Sequence, residues 1–267
     1  MQNLKLIATD IDGTLFDSDH NFDHQRLNKY LDQLHQQDVK FVVASGNGYC
    51  HLAKIFEQVP NVDAFIAENG AQTVVNGKTI DENIFDHDVV NQLLEIITDK
   101  FDINKIYLSG KNGTYTTKTD FQDDTYYFNN LVYVDKYQDV DDEIFKINLD
   151  LDEKIMYDTV AFLNDNYNHL LHAAVSGFGC IDTIPAHTNK GTALQDLSDY
   201  YQLQPENLVA FGDNNNDLEM IKLAGTGVAM KNGIQQIKDH SKLITKDDND
   251  HDGVLNTIQE LFQLDDD

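Results

Sequence analysis

The chain has 267 residues, 41% of them apolar, and its 46 acidic against 19 basic side chains give a formal net charge of −27. That apolar fraction excludes a disordered chain, and no apolar run approaches the roughly 18 residues that a membrane span needs. The charge argues against nucleic acid and anionic membranes as partners, and an anionic ligand then needs strong local positive charge such as a bound cation. The length predicts about two domains. The N-terminus enters a strand without the basic region, apolar stretch and cleavage site of a leader, so the cytoplasm is the expected location. Cys50 and Cys180, the two cysteines, read as core thiols. Arg26 is the single arginine, so recognition by guanidinium clamps is nearly excluded, and lysine, hydroxyls, backbone N–H groups and metal must serve instead.

In chain order, Leu4 to Leu15 (LKLIATDIDGTL) opens as a short apolar run and delivers Asp10 and Asp12 into a Gly-Thr turn. Such a run, stopped by glycine, reads as a buried parallel strand, and ligands collect beyond the carboxyl ends of these strands. If the strand persists through Asp12, both carboxylates face one side. Leu27, Tyr30, Leu31 and Leu34 have helical spacing; Val39 to Ala44 is a second strand, ending in Ser45-Gly46-Asn47-Gly48. Leu52, Ile55 and Phe56 mark a helix, and Ala64 to Ala67 a third strand, ending in Glu68-Asn69-Gly70. This strand–helix alternation predicts a parallel sheet.

The rhythm then changes. Thr73 to Val75 and Lys78 to Ile80 flank Asn76-Gly77, a favoured hairpin turn. Helices are expected around Val89 to Ile97 and Lys154 to Asn164. Strands are expected at Lys105 to Leu108, Gly113 to Thr117, Leu131 to Val134, Ile144 to Leu149, Leu170 to Val175 and Gly179 to Ile184. This mixed, mostly antiparallel material reads as a second domain, residues 82–185, inserted into a core made of residues 1–81 and 186–267. The strand–helix pattern returns with Leu194 and Leu197, the strand Leu208 to Phe211, the helix around Leu218 to Leu223, strands at Gly227 to Met230 and Lys242 to Thr245, and a last helix from Val254.

Two close carboxylates repel unless one gains a metal, loses its charge or changes role, so Asp10 and Asp12 suggest chemistry. A bare Asp-x-Asp is equally a loop cap; the whole string D-I-D-G-T-L is far more specific. Ser45-Gly46, a hydroxyl with backbone N–H groups before a helix, makes an anion cradle or, more simply, a turn and cap. Lys190, in Thr188-Asn189-Lys190-Gly191, begins a helix just after the insertion, where a compact ammonium suits a point-charge role. Gly212-Asp213-Asn214-Asn215-Asn216-Asp217 follows a buried strand and starts a helix at the same sheet edge as Asp10; acidic residues there are also ordinary helix caps. Asp248, Asp250, Asp252 and Gly253 have calcium-loop spacing, but Gln259 stands where such a loop needs a bidentate Glu, so a solvated turn is expected. His169 and His172 lie where the chain enters a strand and are not expected to bind metal.

Taken in order, these four segments resemble the four motifs of the haloacid dehalogenase-like phosphohydrolase superfamily, and the insertion resembles its Cof-type branch. The resemblance implies an α/β fold, a Rossmann-like parallel-sheet core carrying a smaller α+β cap that reads the leaving group. It implies a phosphatase of small phosphorylated metabolites, sugar phosphates or similar monoesters, working through an aspartyl-phosphate. Asp10 is then the nucleophile and Asp12 the general acid and base. Ser45, Gly46, Lys190 and Asn216 hold the phosphate. Mg²⁺ sits on Asp10, the Asp12 carbonyl and Asp213, with Asp217 steadying Lys190 and metal-bound waters and Thr14 in support. The branch usually has Arg where this chain has Asn47, which unsettles substrate contacts from that turn but not Ser45. A phosphomutase on the same scaffold is the alternative, and a phosphoacceptor signalling protein the non-enzymatic one; the placement of Asp12 and the roughly 100-residue insertion argue against the latter.

Overall fold

A computed structural model describes residues 3–117, 130–176 and 180–266. Two sheets organise the chain. The first has eight strands: β1 (Leu6–Thr9), β2 (Lys40–Ala44), β3 (Ala64–Ala67), β4 (Gln72–Val75), β5 (Lys78–Glu82), β12 (Leu208–Gly212), β13 (Thr226–Ala229) and β14 (Leu243–Ile244). Their spatial order is β14-β13-β12-β1-β2-β3-β4-β5. The pairs from β14 through β3 are parallel, and the Asn76-Gly77 hairpin adds β4 and β5 antiparallel at one edge.

Both faces of this sheet are buried, which is why its strands read as continuous apolar runs. Along β1 and β12, Ile7, Val209 and Phe211 pack toward α1 (His24–Gln36) and α8 (Gly253–Phe262), with Leu27, Leu31, Leu255 and Ile258. Leu6, Ala8, Leu208 and Ala210 face the other way, against Leu194 and Leu197 of α5 (Lys190–Tyr200), Met220 of α6 (Leu218–Leu223) and Ile237 of α7 (Gln235–His240). The remaining core helix, α2 (Tyr49–Ile55), follows β2. Arg26 fastens the C-terminus: it donates to Tyr30 and Asp266 from Nε and to Asn256 from Nη1.

The second sheet comprises β6 (Ile103–Gly110), β7 (Thr114–Thr116), β8 (Leu131–Tyr133), β9 (Ile144–Leu151), β10 (Leu171–Ser176) and β11 (Cys180–Pro185), in the order β10-β11-β9-β6-β7-β8. Its pairs are antiparallel except β7 with β8, which run parallel. Helices α3 (His87–Lys100) and α4 (Glu153–Tyr167) accompany it, and Leu93, Ile97 and Leu163 share its apolar core with Ile147 and Leu149. One expected strand, Gly179 to Ile184, begins at a residue outside the described ones. No helix among the described residues is long and apolar enough to cross a membrane.

Two sequence expectations fail here. β1 ends at Thr9 rather than continuing through Asp12, because Asp12 (φ −73°, ψ 116°) and Gly13 (φ +75°) turn the chain in a wide loop from Ile11 to Leu15. Nor are the cysteines core thiols: Cys50 is exposed, on a helix whose buried residue is Leu52, and Cys180 is half-buried at the wall of a cavity.

Candidate active site

The site is built where β1 and β12 lie side by side and both end. The Asp10 N–H donates to the Phe211 carbonyl (3.1 Å), which ties the start of the Asp10 turn to the end of β12. Gly13 is required in this turn: a Cβ there would lie 2.8 Å from Asp213 Oδ2, and its φ of +75° is left-handed. The turn is held from outside as well, since Asn232 donates to the Gly13 carbonyl (2.7 Å) and accepts from the Asn249 N–H (3.2 Å). The Asp248 to Asp252 stretch forms a short turn before α8, as expected, and the Asp250 carboxylate accepts from the Ser18 N–H (2.7 Å), close to that turn.

Lys190, the first residue of α5, reaches into this corner and is fully buried; its Nζ lies 2.6 Å from Asp10 Oδ1 and 2.7 Å from Asp217 Oδ1. The Asn189–Thr192 capping box fixes the helix start that aims it. Asp217 turns its other oxygen to the N–H groups of Asp213 (3.0 Å) and Asn214 (3.1 Å), so it braces the loop after β12 and the ammonium together. Thr14 donates to Asp213 Oδ1 (3.1 Å). Residues some 200 positions apart in sequence are thus brought to one sheet rim.

Charge does not balance there. Burial alone would strip the proton from Lys190, but the Asp10 and Asp217 carboxylates outweigh it and hold the ammonium charged. The carboxylates outnumber that one cation. Burial, reinforced by Asp217, drives Asp10 well above the usual carboxylate range despite Lys190. Burial and Asp217 push Asp213 up to about 7, with Thr14 and Lys190 pulling the other way. Asp12 is raised too, by burial, with His20 opposing.

Carboxylate oxygens of Asp10, Asp213 and Asp217 lie within 4.8 Å of one another. A cluster of hard oxygen donors with excess negative charge fits a divalent cation. Asp217 already uses both oxygens, whereas Asp10 and Asp213 each keep one outside these hydrogen bonds. The Asp12 carboxyl, 44% exposed, stands outside the cluster, 3.6 Å from the His20 ring and 3.5 Å from the Asn47 amide. The metal contribution expected of Asp12 is its backbone carbonyl, not this carboxyl.

Ser45 is buried just after β2 and its hydroxyl accepts from the Asn47 N–H (3.1 Å). Asn216 donates to Asn69 Oδ1 (3.1 Å), and Gly46, Asn47 and Asn216 line a cavity of about 490 Å³ that also reaches Asp10, Asp12 and Asp213.

Sequence reasoning missed several residues here. Glu68, Asn69 and Gly70 all have positive φ (50°, 55° and 107°), an uncommon run for side-chain-bearing residues. A Cβ on Gly70 would lie 2.4 Å from the Asn189 carbonyl, so this loop also abuts the start of α5. It meets the second sheet through Asn69, which donates to Asp182 Oδ2 (2.7 Å), and Glu68, which accepts from the Ser109 hydroxyl (2.6 Å). Lys146 of β9 is the counterpart. Its buried Nζ donates to the Gly46 carbonyl (2.6 Å) and lies 2.9 Å from Glu68 Oε2 and 3.6 Å from Asp182 Oδ2. The Glu68 contact is an ion pair out of line for a hydrogen bond. Asp182 and Glu68 hold this ammonium charged against burial. Glu68-Asn69-Gly70 was legible as the end of a third parallel strand at the same rim; Lys146 and Asp182 sit mid-strand, where no motif marks them.

Comparison with known proteins agrees with this geometry. Residues 7–258 match the family model of haloacid dehalogenase-like hydrolases. The chain is 30% identical to the Escherichia coli protein named 5-amino-6-(5-phospho-D-ribitylamino)uracil phosphatase YbjI, over 98% of this chain and 97% of that one. It is 27% identical to the Bacillus subtilis protein of the same activity name, YitU, over 97% and 98%. Its structure superposes on that of SMU.1108c from Streptococcus mutans with a TM-score of 0.92 and 32% identity, covering 97% of this chain and 99% of that one.

Proposed function

Because the chain belongs to the haloacid dehalogenase-like hydrolases and is a phosphatase of that family, we propose that it hydrolyses small phosphate monoesters through an aspartyl-phosphate on Asp10. The observation that carries this is the Asp10–Lys190–Asp217 cluster facing Asp213 at the mouth of a cavity. In-line phosphoryl transfer asks for a nucleophile, charge on the equatorial oxygens and a proton for the leaving oxygen. Lys190 pins Asp10 Oδ1 and so orients the carboxylate at the cavity for attack. Asp12, on the more open side of the turn, has its pKa raised, which suits it to donate a proton to the leaving group and then take one from the hydrolytic water. Lys190, the Ser45 hydroxyl, Gly46 and Asn216 hold the phosphoryl oxygens. Asp10 and Asp213, with the Asp12 carbonyl, would hold Mg²⁺, which when bound supplies charge that offsets the repulsion between carboxylate and phosphate. Residues 82–185 act as the cap that covers the cavity and selects the leaving group.

The substrate class is a monoester with a hydroxyl-rich leaving group, and the ribitylamino-uracil phosphate named for the two relatives belongs to that class. A mutase would need the phosphoryl group passed to a second hydroxyl. The test is direct: purified protein releases phosphate from p-nitrophenyl phosphate, and Asp10→Asn lowers that release by at least about 10³-fold. Retained release would remove Asp10 as nucleophile, and isomerised sugar phosphate without free phosphate would replace the phosphatase reading.

A further inference from the structure

The cavity runs from the acidic cluster to the face of the second sheet, and that face carries a leaving-group site, an assignment that rests on the chain acting as a phosphatase at Asp10. Alternation along β6 and β9 sends Ile106, Leu108, Ile147 and Leu149 into the apolar core of that sheet. It sends Tyr107, Lys146 and Asn148 to the cavity wall. In register, Tyr107 stands opposite Asn148, and Asn148 opposite Asp182.

The cations on this wall already have carboxylate partners. Lys146 is held by Glu68 and Asp182, Lys111 lies 2.7 Å from Glu82 and 3.1 Å from Glu143, and Lys105 lies 3.9 Å from Asp150. A second anionic group on a substrate would have to displace one of these carboxylates, and would meet Asp150 and Asp182 besides. Detaching Lys146 is the costly case, because its partners Glu68 and Asp182 are buried.

Asn148 is different. A carboxylate only accepts, so the amide nitrogen of Asn148 must be the atom facing Asp182 Oδ1, at 2.7 Å. Asn148 Oδ1 is then left buried with no hydrogen-bond donor. A buried acceptor without a donor is unfavourable; Asn148 lines the cavity, so a turn of its side chain that opens this oxygen to the cavity lets a ligand hydroxyl or N–H relieve it. We infer that Asn148 is a specificity-determining residue that accepts a hydrogen bond from the leaving group. This end of the cavity takes an uncharged leaving group rich in hydroxyl or amide donors, and rejects one that carries a second anionic group. Tyr107, beside Asn148 in the same row, supplies an aromatic wall for such a group.

The experiment compares four esters: ribitol 5-phosphate, n-pentyl phosphate, 3-phosphoglycerate and p-nitrophenyl phosphate. Wild-type protein is expected to turn over ribitol 5-phosphate with a kcat/KM at least about 10-fold above n-pentyl phosphate and 3-phosphoglycerate. Asn148→Leu, of similar size, is expected to lower kcat/KM on ribitol 5-phosphate about 10-fold more than on p-nitrophenyl phosphate, chiefly through KM. Equal losses on those two esters would overturn the assignment. So would wild-type protein that treats ribitol and pentyl phosphates alike or prefers 3-phosphoglycerate, a result that does not depend on how the variant folds. If no ester is turned over, the phosphatase reading has failed. Calorimetric binding of ribitol 5-phosphate against n-pentyl phosphate then decides the leaving-group site by itself, with tighter ribitol binding supporting it and equal binding overturning it.

Discussion

The two ends of the cavity handle charge in opposite ways. At the sheet rim, Asp10, Asp213 and Asp217 crowd round one ammonium, and two of the three are pushed toward protonation. At the facing wall, Lys146, Lys111 and Lys105 each lie beside a carboxylate. An imbalance in a dry corner is unfavourable until a cation or a reacting group corrects it, so it marks the place of chemistry. A balanced wall is settled before any ligand arrives, and what it offers is shape and hydrogen bonds.

The contrast breaks most visibly if the one ammonium at the rim is removed. Lys190→Met is expected to abolish turnover and to destabilise the fold by about 3–5 kcal/mol, because Asp10 and Asp217 are left facing each other in a buried site; urea unfolding and a phosphate-release assay check both. Lys146→Met, the equivalent change at the wall, is expected to cost about 3 kcal/mol yet leave measurable turnover, with kcat/KM lowered for every ester alike, since Lys146 grips the Gly46 carbonyl rather than the leaving group. Abolished turnover would mean that the two ammoniums are not distinct in role.

Metal sharpens the comparison at the rim alone. Saturating Mg²⁺, at about 100 times its Kd, should stabilise the protein by about 2.7 kcal/mol, seen as a higher Tm, and the gain should vanish in Asp213→Asn. In chelated protein the sign with pH follows from Asp213. Its carboxyl is raised from 3.8 to about 7 in the fold, so the folded state holds a proton that the unfolded chain has lost. Its contribution to stability is full below about pH 4, falls as pH rises toward 7, and is level above. Mg²⁺ should flatten that slope. The smallest effect is expected far from both ends: Arg26→Lys should cost about 1 kcal/mol by loosening the contacts to Tyr30, Asn256 and Asp266, with kcat unchanged.

Much of the rim was legible because parallel strands buried on both faces leave a plain signature, an apolar run that stops at a polar turn. Asp10, Ser45 and Asp213 all stand at such stops. The turn at Asp12 was misread because the period-two rule holds only while the strand lasts, and Gly13 ends it early. The cysteines were misjudged from residue type alone: Cys50 falls on the outer side of a short helix, which composition does not reveal. The facing wall was hardly legible. Lys146 and Asn148 are polar residues alternating with apolar ones, the pattern of any half-exposed strand, Asp182 is a buried acid that no motif marks, and only the pairing of β9 with β6 and β11 turns them into a surface against the cavity.

That alternation has an evolutionary corollary. Ile106, Leu108, Ile147 and Leu149 belong to the apolar interior, while Tyr107 and Asn148 between them line the cavity. A substitution at Asn148 leaves that interior in place, whereas Lys146 and Ser109 dock the wall on the loop from Glu68 to Gly70 and are not free in the same way. An exchange at Asn148 would therefore reshape the wall while leaving Asp10, Lys190 and Asp213 at the rim in place.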